Sequence, residues 1–239
     1  MEHSSPRMLR VTLRGPELAG FTVEQPAASV RLLLPERGIG DLVMPAWNGN
    51  EFLLPDGRRP TIRTFTPRRV DPVAGELDVE IVLHAGGAAS EWAASAEPGD
   101  PVAVSGPGRG YTIDHDAPAF LLGGDETAIP AISQLVEQLP ADIPVEVRIE
   151  LAHPDARYPL PTHRSTRVEW CELAAGRAPG DALFAAVHDT DVPLGGRIWV
   201  AGEAASLQRI RRYLFDERGF ARAHTTVRGY WKHGRAGDA

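Results

Sequence analysis

The chain of 239 residues contains little cysteine, little lysine and no long apolar segment. Cys171 is the only cysteine, which excludes an internal disulfide, a thiolate-bound iron–sulfur cluster and a haem attached through paired cysteines. Any redox chemistry would therefore need an organic cofactor. No apolar run approaches the roughly 20 residues that span a bilayer, so we expect no membrane insertion.

Lys232 is the single lysine among 25 basic residues, and the other 24 are arginine. The net charge of −7 argues against general binding of nucleic acids. The eight histidines show neither His-Glu-x-x-His nor another paired spacing typical of a metal site, so we expect no metal. Residues 1–10 lack the apolar core of a secretory signal, which predicts a cytoplasmic protein. Nothing in the sequence indicates an obligate protein partner.

The first half of the chain predicts β-structure. Hydrophobic and polar residues alternate over residues 77–83, the period of a strand with one buried face. Shorter apolar runs at residues 8–13, 30–34 and 102–104 are separated by turns rich in proline and glycine. Short strands with frequent turns favour an antiparallel barrel, which we predict to have six strands within residues 1–117.

From about residue 118 onwards, predicted strands alternate with predicted helices. The strands are expected at residues 119–122, 145–151, 167–171 and 197–201. Helices are expected from Ile129, around residues 182–187 and from Gly202, with an extended tail at residues 225–231. This alternation predicts a parallel sheet, so residues 118–239 are expected to form an α/β domain.

A barrel followed by a small α/β domain is an arrangement that holds a flavin against a nicotinamide. In the extended tetrad at residues 63–66, Arg63 and Phe65 should project to one side and Thr64 and Thr66 to the other. A flavin dinucleotide needs a cation for its pyrophosphate, a flat apolar surface for its ring and a hydroxyl near the ring's reactive nitrogen. The tetrad offers all three, although an ordinary strand with an exposed arginine is the alternative.

Two further segments place small residues where a predicted strand ends. In residues 84–92 the small side chains let a phosphate approach the backbone, and Ser90 is expected to start a helix that faces this anion. A simple Gly/Ala turn with a capping serine and a hydrogen-bonded His84 is the alternative. Residues 123–132 lie where a parallel strand meets a helix, the usual crevice for nucleotides in an open α/β sheet.

In order and spacing, five blocks of the sequence resemble the siderophore-interacting protein family, a branch of the ferredoxin-reductase-like flavoproteins. The blocks are residues 63–66, 84–92, 123–132, 199–204 and 229–234. The third block, Gly-Gly-Asp-Glu-Thr-Ala-Ile-Pro-Ala-Ile, is the most distinctive, and the Gly-Tyr-Trp of the last block is next. The resemblance covers the chain from about Arg10 to Gly234.

The resemblance implies that the barrel binds FAD and that the second domain receives NADH or NADPH. The flavin ring and phosphates would be held by Arg63, Thr64, Phe65 and Thr66, with Thr66 as the catalytic candidate. The rest of FAD would be seated by His84, Gly87, Ala88, Ala89 and Ser90. The nicotinamide cofactor would face Asp125, Glu126, Thr127, Ala128, Ile129, Gly202 and Glu203.

Three positions depart from the family pattern. Phe65 stands where tyrosine is common, which keeps the flat surface but loses a phenolic hydrogen bond. The glycine turn before Trp92 is one residue short and has Ala88 where proline is usual. Lys232 stands where arginine is frequent, which keeps the charge but not the bidentate fork.

The family implies that electrons pass from NADH or NADPH through FAD to ferric iron in a siderophore. A nicotinamide gives two electrons together and ferric iron accepts one, a mismatch that a flavin resolves. Ferrous iron is bound less tightly by the hard oxygen ligands of a siderophore, so reduction releases the metal. We expect Lys232, Arg58 and Arg59 to form a basic rim for the anionic substrate, unless Arg58 and Arg59 merely flank a solvated turn.

Two other functions stay open on the sequence. One is an NAD(P)H-dependent reductase of the same fold that serves free flavin or a protein electron acceptor. The other is a flavin-bearing siderophore carrier that binds iron complexes without turnover. The Gly-Tyr-Trp ending and the Asp-Glu-Thr-Ala block argue against the first of these.

Overall fold

The computed structural model describes residues 1–35 and 41–234, so residues 235–239 of the predicted second domain lie outside the described residues. The elements of the first half are β1 (Glu2–Ser5), β2 (Met8–Arg14), β3 (Val30–Leu33), β4 (Ala46–Trp47), β5 (Phe52–Leu53), β6 (Ile62–Phe65), β7 (Pro67–Asp71), β8 (Glu76–Val82), α1 (Ala88–Ser95) and β9 (Ala103–Ser105). They form antiparallel sheets in the orders β1-β2-β8-β7 and β6-β3-β9, with β4 and β5 as a hairpin. The predicted antiparallel barrel region is confirmed.

The alternating strand β8 is buried on both faces, not on one as the sequence predicted. Leu77, Val79 and Ile81 pack into the barrel core as expected. On the other face, Asp78 and Glu80 are also buried. Asp78 accepts a hydrogen bond from Thr12, and Glu80 accepts hydrogen bonds from Arg10 and Tyr158, so partners compensate for the desolvation of both carboxylates.

The second half contains β10 (Phe120–Asp125), α2 (Ile129–Gln138), β11 (Val145–Leu151), β12 (Thr166–Glu172), α3 (Asp181–Asp189), β13 (Arg197–Glu203), α4 (Ala204–Arg212) and β14 (Thr225–Trp231). These five strands are parallel and lie in the order β12-β11-β10-β13-β14, which confirms the predicted parallel sheet. Helix α2 covers one face, where Ile129 and Ile132 share a core with Trp199. Helices α3 and α4 cover the other, where Leu183 and Ile210 share a core with Val200.

Two of the predicted element boundaries at the carboxyl edge of this sheet are wrong. Strand β10 continues through Asp125, and β13 continues through Gly202 to Glu203, so α4 begins at Ala204 and not at Gly202. Glycine lets the strand backbones pack closely here, because a Cβ on Gly124 would lie 2.8 Å from the carbonyl oxygen of Ala201.

The two halves of the chain contact each other through polar side chains. The Tyr158 hydroxyl donates to Glu80 over 2.8 Å, and Arg10 reaches both residues. Arg228 of β14 donates to the carbonyl oxygens of Ala27 and Gly110. The first half of the chain thus lies next to the edge strand β14, and Arg68 of β7 also pairs with Glu137 of α2.

None of the helices in the two described ranges is long and apolar enough to cross a membrane.

Candidate flavin and nucleotide site

The predicted flavin tetrad lies on β6 and on the residue that follows it. Thr64 is exposed, and Phe65 is half-buried against the barrel core. Arg63 donates from Nη1 to the carbonyl oxygen of Ile62 over 2.8 Å. Within the part of the chain that the structure describes, Arg63 forms no ion pair with a carboxylate. Its guanidinium is therefore held in place by a neutral group while its charge is available to an anion.

Thr66 occupies the junction between the two main barrel sheets, because β6 ends at Phe65 and β7 begins at Pro67. It is buried, and its side chain lies close enough to the hydroxyl of Tyr230, near the end of β14, to act on its pKa. Burial raises the pKa of Tyr230 above its ordinary value, while Thr66 acts in the opposite direction. The first and last motifs of the sequence therefore meet at this point.

The segment after β8 forms a compact turn into α1. The imidazole of His84 lies directly against Gly87, where a Cβ would come within 2.4 Å of the ring carbon Cε1. Ala88 and Ala89 are the first two residues of α1, so the helix begins two residues before Ser90, and the predicted start is wrong. Gly87 provides no side-chain cap, so no side chain accepts a hydrogen bond from the first N–H groups of this helix.

Ser90 does not cap α1, and its side chain instead connects this helix to the end of β8. Its Oγ accepts a hydrogen bond from the backbone N–H of His84 over 3.1 Å and donates to the carbonyl oxygen of Val82 over 3.2 Å. These two bonds attach α1 to the end of β8 and fix the turn that carries His84. The turn that is predicted to bind the rest of FAD is therefore fixed to the end of β8. Ser90 contributes to this through its hydrogen bonds with the backbone of His84 and Val82.

Asp125 ends β10 and is the centre of the carboxyl edge. Its Oδ1 accepts hydrogen bonds from the backbone N–H and hydroxyl of Thr127, at 2.9 and 2.5 Å. Its Oδ2 accepts from the backbone N–H of Glu203 at 3.0 Å and from Nε1 of Trp231 at 2.7 Å. Gly202 is required beside it, because φ is +150° and a Cβ would lie 2.5 Å from Oδ2. One carboxylate thus joins the ends of β10, β13 and β14.

The pKa of Asp125 is raised to about 6, because burial disfavours the charged carboxylate. The hydrogen bonds from Thr127 and Trp231 act in the opposite direction and keep the shift from being larger. The carboxylate is therefore ionised at neutral pH and takes up a proton in mildly acidic solution.

The other acidic residues of this edge are also bound to backbone N–H groups. Glu203 accepts from Ser206 over 2.7 Å and from His233 over 3.2 Å. Glu126 accepts from Ala152 over 2.8 Å. Since these side chains are already satisfied, a ligand at this edge would meet mainly backbone and the residues of the tail. Ala128 and Ile129 are buried, so of the predicted stretch Thr127 alone has partial exposure.

Sequence reasoning missed Glu150, Tyr230 and Trp231 as parts of the site. Glu150 accepts from the backbone N–H groups of Gly180 and Leu183 and so holds the start of α3. The signal for it was present in the sequence, because an acidic residue stands at the carboxyl ends of β10, β11 and β13. The contacts of Tyr230 and Trp231 depend on tertiary structure that no local pattern encodes.

Two of the three basic residues that are predicted to bind the substrate already form ion pairs. Arg58 pairs with Asp56 over 2.6 Å, and Arg59 pairs with Glu51 over 2.6 Å, all of them at least partly exposed. Lys232 is exposed and forms no ion pair with any residue in the described ranges. Among these same residues no group of three histidine, cysteine or acidic side chains is arranged to hold a metal.

These features fit a bound FAD. An unneutralised Arg63, an exposed threonine, an uncapped helix start at Gly87 and a hydroxyl at the junction lie on consecutive elements of one half of the chain. A dinucleotide requires a cation and N–H donors for its phosphates, and an apolar surface with polar groups for its ring. The barrel supplies each of these.

Comparison with known proteins agrees with this geometry. Residues 1–111 match the family described as the siderophore-interacting FAD-binding domain, and residues 117–234 match the siderophore-interacting protein family. FAD is therefore confirmed as the predicted cofactor. A crystal structure of a siderophore utilization protein from T. fusca superposes with a TM-score of 0.86 and 34% identity, covering 99% of this chain and 92% of that one.

Two further relatives cover almost the whole chain. The structure of the siderophore-interacting protein SipS from Aeromonas hydrophila has a TM-score of 0.80 and 29% identity over 98% of this chain and 89% of that one. The ferric vibriobactin reductase ViuB of Vibrio cholerae is 28% identical over 100% of this chain and 89% of its own length.

Proposed function

The chain belongs to the siderophore-interacting protein family, and we propose that it is an NAD(P)H-dependent, FAD-containing reductase that releases iron from ferric siderophores as Fe(II) in the cytoplasm. The observation that carries the proposal is the closeness of Thr66 to Tyr230, whose neighbour Trp231 donates a hydrogen bond to Asp125. This contact brings the flavin tetrad on the barrel next to the carboxyl ends of β10, β13 and β14, where open α/β sheets bind nucleotides. The activity in the name of ViuB supports the same reaction.

In this proposal, the barrel residues bind and orient the cofactor. Arg63 would contact the pyrophosphate, Phe65 would present an apolar surface to the ring, and Thr64 and Thr66 would provide hydroxyls, with Thr66 as the catalytic candidate. His84 and the turn of Gly87, Ala88, Ala89 and Ser90 seat the remainder. When bound, FAD would supply the conversion between two-electron and one-electron transfer that connects a nicotinamide with ferric iron.

We place the boundary between the FAD-binding and nicotinamide-binding halves at residues 117 and 118. The second half would receive NADH or NADPH at the carboxyl edge, along residues 125–129 and at Gly202 and Glu203. The network around Asp125 keeps three strand ends fixed for this purpose. The side chains of this edge act as positioning groups, because their polar atoms are already hydrogen-bonded.

Substrate binding is assigned to Lys232, with Arg58 and Arg59 as weaker contributors. Ferric siderophores are often anionic, and Lys232 follows directly on Trp231, which Asp125 holds. The ion pairs of Arg58 with Asp56 and of Arg59 with Glu51 reduce the field that these two arginines present. Reversal of the charge at Lys232 should therefore raise the apparent substrate constant more than reversal at Arg59, and more at low salt than at high salt.

The proposed function is tested by an anaerobic assay of the FAD-loaded protein. Ferrozine colour, which reports ferrous iron, is followed after a ferric siderophore is added with NADH or with NADPH. The rate of siderophore reduction is then compared with the rate at which the same protein reduces free FMN. A rate on the siderophore above that on FMN supports the proposal, and a much faster rate on FMN identifies a flavin reductase. Flavin that neither nucleotide reduces, even with siderophore present, identifies a carrier.

A further inference from the structure

A basic cleft of about 530 Å³ lies between the chain segment at residues 109–112 and the first half of β14. It is lined by Arg109, Arg211, Arg222 and Arg228, with Phe215 and Thr225 among the other lining residues. None of the residues that we assign to FAD, to the nicotinamide cofactor or to the siderophore lines it. The cleft therefore needs an explanation of its own.

The charge of the cleft is unusual for this protein. Four arginines and no acidic residue line it, although the chain as a whole carries a net charge of −7. None of these four arginines forms an ion pair with a carboxylate in residues 1–35 or 41–234. Elsewhere arginines are commonly paired, as Arg68 is with Glu137 and Arg10 is with Glu80. Unpaired like charges gathered in one concave surface favour an anionic ligand.

Neutral groups hold three of the four guanidinium groups in place. Backbone carbonyl oxygens hold those of Arg228 and Arg211, and an aromatic ring holds that of Arg222. Arg228 donates to the carbonyl oxygens of Ala27, Arg109 and Gly110, at 3.0, 3.3 and 2.9 Å. Arg211 donates from Nη2 to the carbonyl oxygen of Val227 over 2.9 Å. These contacts fix the positions of the charges without cancelling them, and they leave further N–H donors on each guanidinium.

Arg222 is positioned in a different way, since its guanidinium carbon lies 4.5 Å from the centre of the Phe215 ring. This stacking also preserves the positive charge.

Thr225, at the start of β14, gives a second and independent indication. This residue is only 9% exposed, and its hydroxyl oxygen is buried without a hydrogen-bond partner among the residues described. A buried hydroxyl without a partner is destabilising, so such groups are rare unless something supplies the missing bond. Thr225 lines the cleft, so a small shift of its side chain would bring this hydroxyl to a bound oxyanion.

We propose that this cleft is a binding site for a phosphorylated ligand of nucleotide size that carries at least two negative charges. The planar guanidinium fork matches the oxygens of phosphate, and four unpaired arginines suit a diphosphate better than a single charge. The volume lies within the range of about 300–1,000 Å³ that small-molecule sites occupy, and it exceeds what one phosphate group fills. Phosphate oxygens are the shared chemistry, whether they belong to a nucleotide or to free pyrophosphate.

The test is isothermal titration calorimetry on the FAD-loaded full-length protein, with pyrophosphate in one arm and ADP in the other. The test variant combines Arg109→Gln with Arg222→Gln, since both residues are exposed and neither side chain donates a hydrogen bond to another of the described residues. Arg164→Gln combined with Arg212→Gln is the matched control, because it also removes two exposed arginine charges and neither residue lines the cleft.

Saturable binding of pyrophosphate that weakens by about tenfold or more in the double variant, and by less than about twofold in the control, supports the proposal. ADP that binds about tenfold more tightly than pyrophosphate identifies a nucleotide as the ligand, and equal affinities identify a phosphate site. Absence of saturable binding overturns the proposal. So does binding of both ligands that the double variant leaves unchanged, because it would place them at the carboxyl edge instead.

Discussion

The acidic groups at the carboxyl edge of the parallel sheet and the basic groups on β6 and along β14 are used in opposite ways. Asp125, Glu150 and Glu203 are buried, and backbone N–H groups bind their oxygens. Arg63 and Arg228 donate to carbonyl oxygens and keep their charge unneutralised. The carboxylates therefore stabilise the fold, whereas these arginines are prepared for ligands.

This difference gives a criterion for reading the site. A charged side chain whose hydrogen bonds are all made inside the protein serves to position other groups, even where it lies close to the expected ligand. A charged side chain held by neutral partners retains binding capacity. The acidic block of residues 125–126, the most distinctive motif in the sequence, belongs to the first kind.

The largest effect is expected for Asp125→Ala. The change leaves the N–H groups of Thr127, Glu203 and Trp231 without an acceptor, and we expect unfolding free energy to fall by about 3–5 kcal/mol. Urea unfolding measures it. Asp116→Ala, at an exposed site, should cost less than about 0.5 kcal/mol. Equal losses of unfolding free energy in the two variants would mean that Asp125 does not stabilise the carboxyl edge.

Gly202→Ala should have the next largest effect on stability. The new Cβ would collide with Oδ2 of Asp125 and would also occupy a backbone conformation that favours glycine. Gly176→Ala is the control, because its φ is +79° and nothing lies within 4 Å of the new Cβ. The difference between the two in urea unfolding isolates the collision, which we expect to cost about 2 kcal/mol. A difference near zero would contradict the close packing.

Arg63→Ala tests the binding side of the comparison. Loss of a charge-assisted bond to a pyrophosphate should weaken FAD binding by about 2 kcal/mol, or roughly thirtyfold, and yield a largely colourless protein. Thr66→Ala should also purify largely without flavin. Arg164→Ala, which removes an exposed arginine outside the site, is the control for the loss of charge. The flavin-to-protein absorbance ratio is the measurement, and full retention in both test variants would show that the cofactor has been misplaced.

Glu150→Gln should have a moderate effect. The amide keeps one acceptor for the start of α3, but its NH₂ group faces either the Gly180 or the Leu183 N–H, so we expect a loss of about 1–2 kcal/mol. Glu172→Gln on exposed β12 should be close to neutral in the same unfolding experiment. A neutral Glu150→Gln would show that the cap contributes nothing.

A separate prediction concerns the pH dependence that arises from Asp125. Its pKa of about 6 lies above the ordinary value of 3.8, so the folded chain binds this proton more tightly than the unfolded chain. The contribution of Asp125 to the free energy of unfolding should therefore decrease as the pH rises from about 4 to 6. The wild type should lose stability relative to Asp125→Asn across this interval, and the opposite trend would refute the raised pKa.

Much of the fold follows from local patterns in the sequence. The predicted strand at residues 145–151 agrees with β11 residue for residue, and Pro130 lies in the first turn of α2 as its geometry requires. The errors at Gly202 and Ser90 have one cause. Both residues were given the role of a helix start, whereas tertiary contacts use Gly202 for close packing and Ser90 to connect α1 to the end of β8.

The candidate site was predictable only in part. The tetrad, the turn at His84 and the Asp125 block were found because chemistry and spacing mark them in the sequence. The partners that complete the site were not found, because the hydrogen bond between Trp231 and Asp125 joins residues that are 106 positions apart. The ion pairs that weaken Arg58 and Arg59 likewise depend on how one exposed turn folds.

The central claim is tested most directly by electron stoichiometry in the absence of oxygen. FAD-loaded protein is given a limiting amount of NADH or NADPH and an excess of ferric siderophore, and ferrous iron and visible flavin absorbance are recorded together. The account predicts about two ferrous ions for each nicotinamide consumed, with the flavin colour lost on addition of nucleotide and restored by the siderophore. Nicotinamide oxidation without ferrous iron, or a flavin colour that the nucleotide never changes, would contradict it.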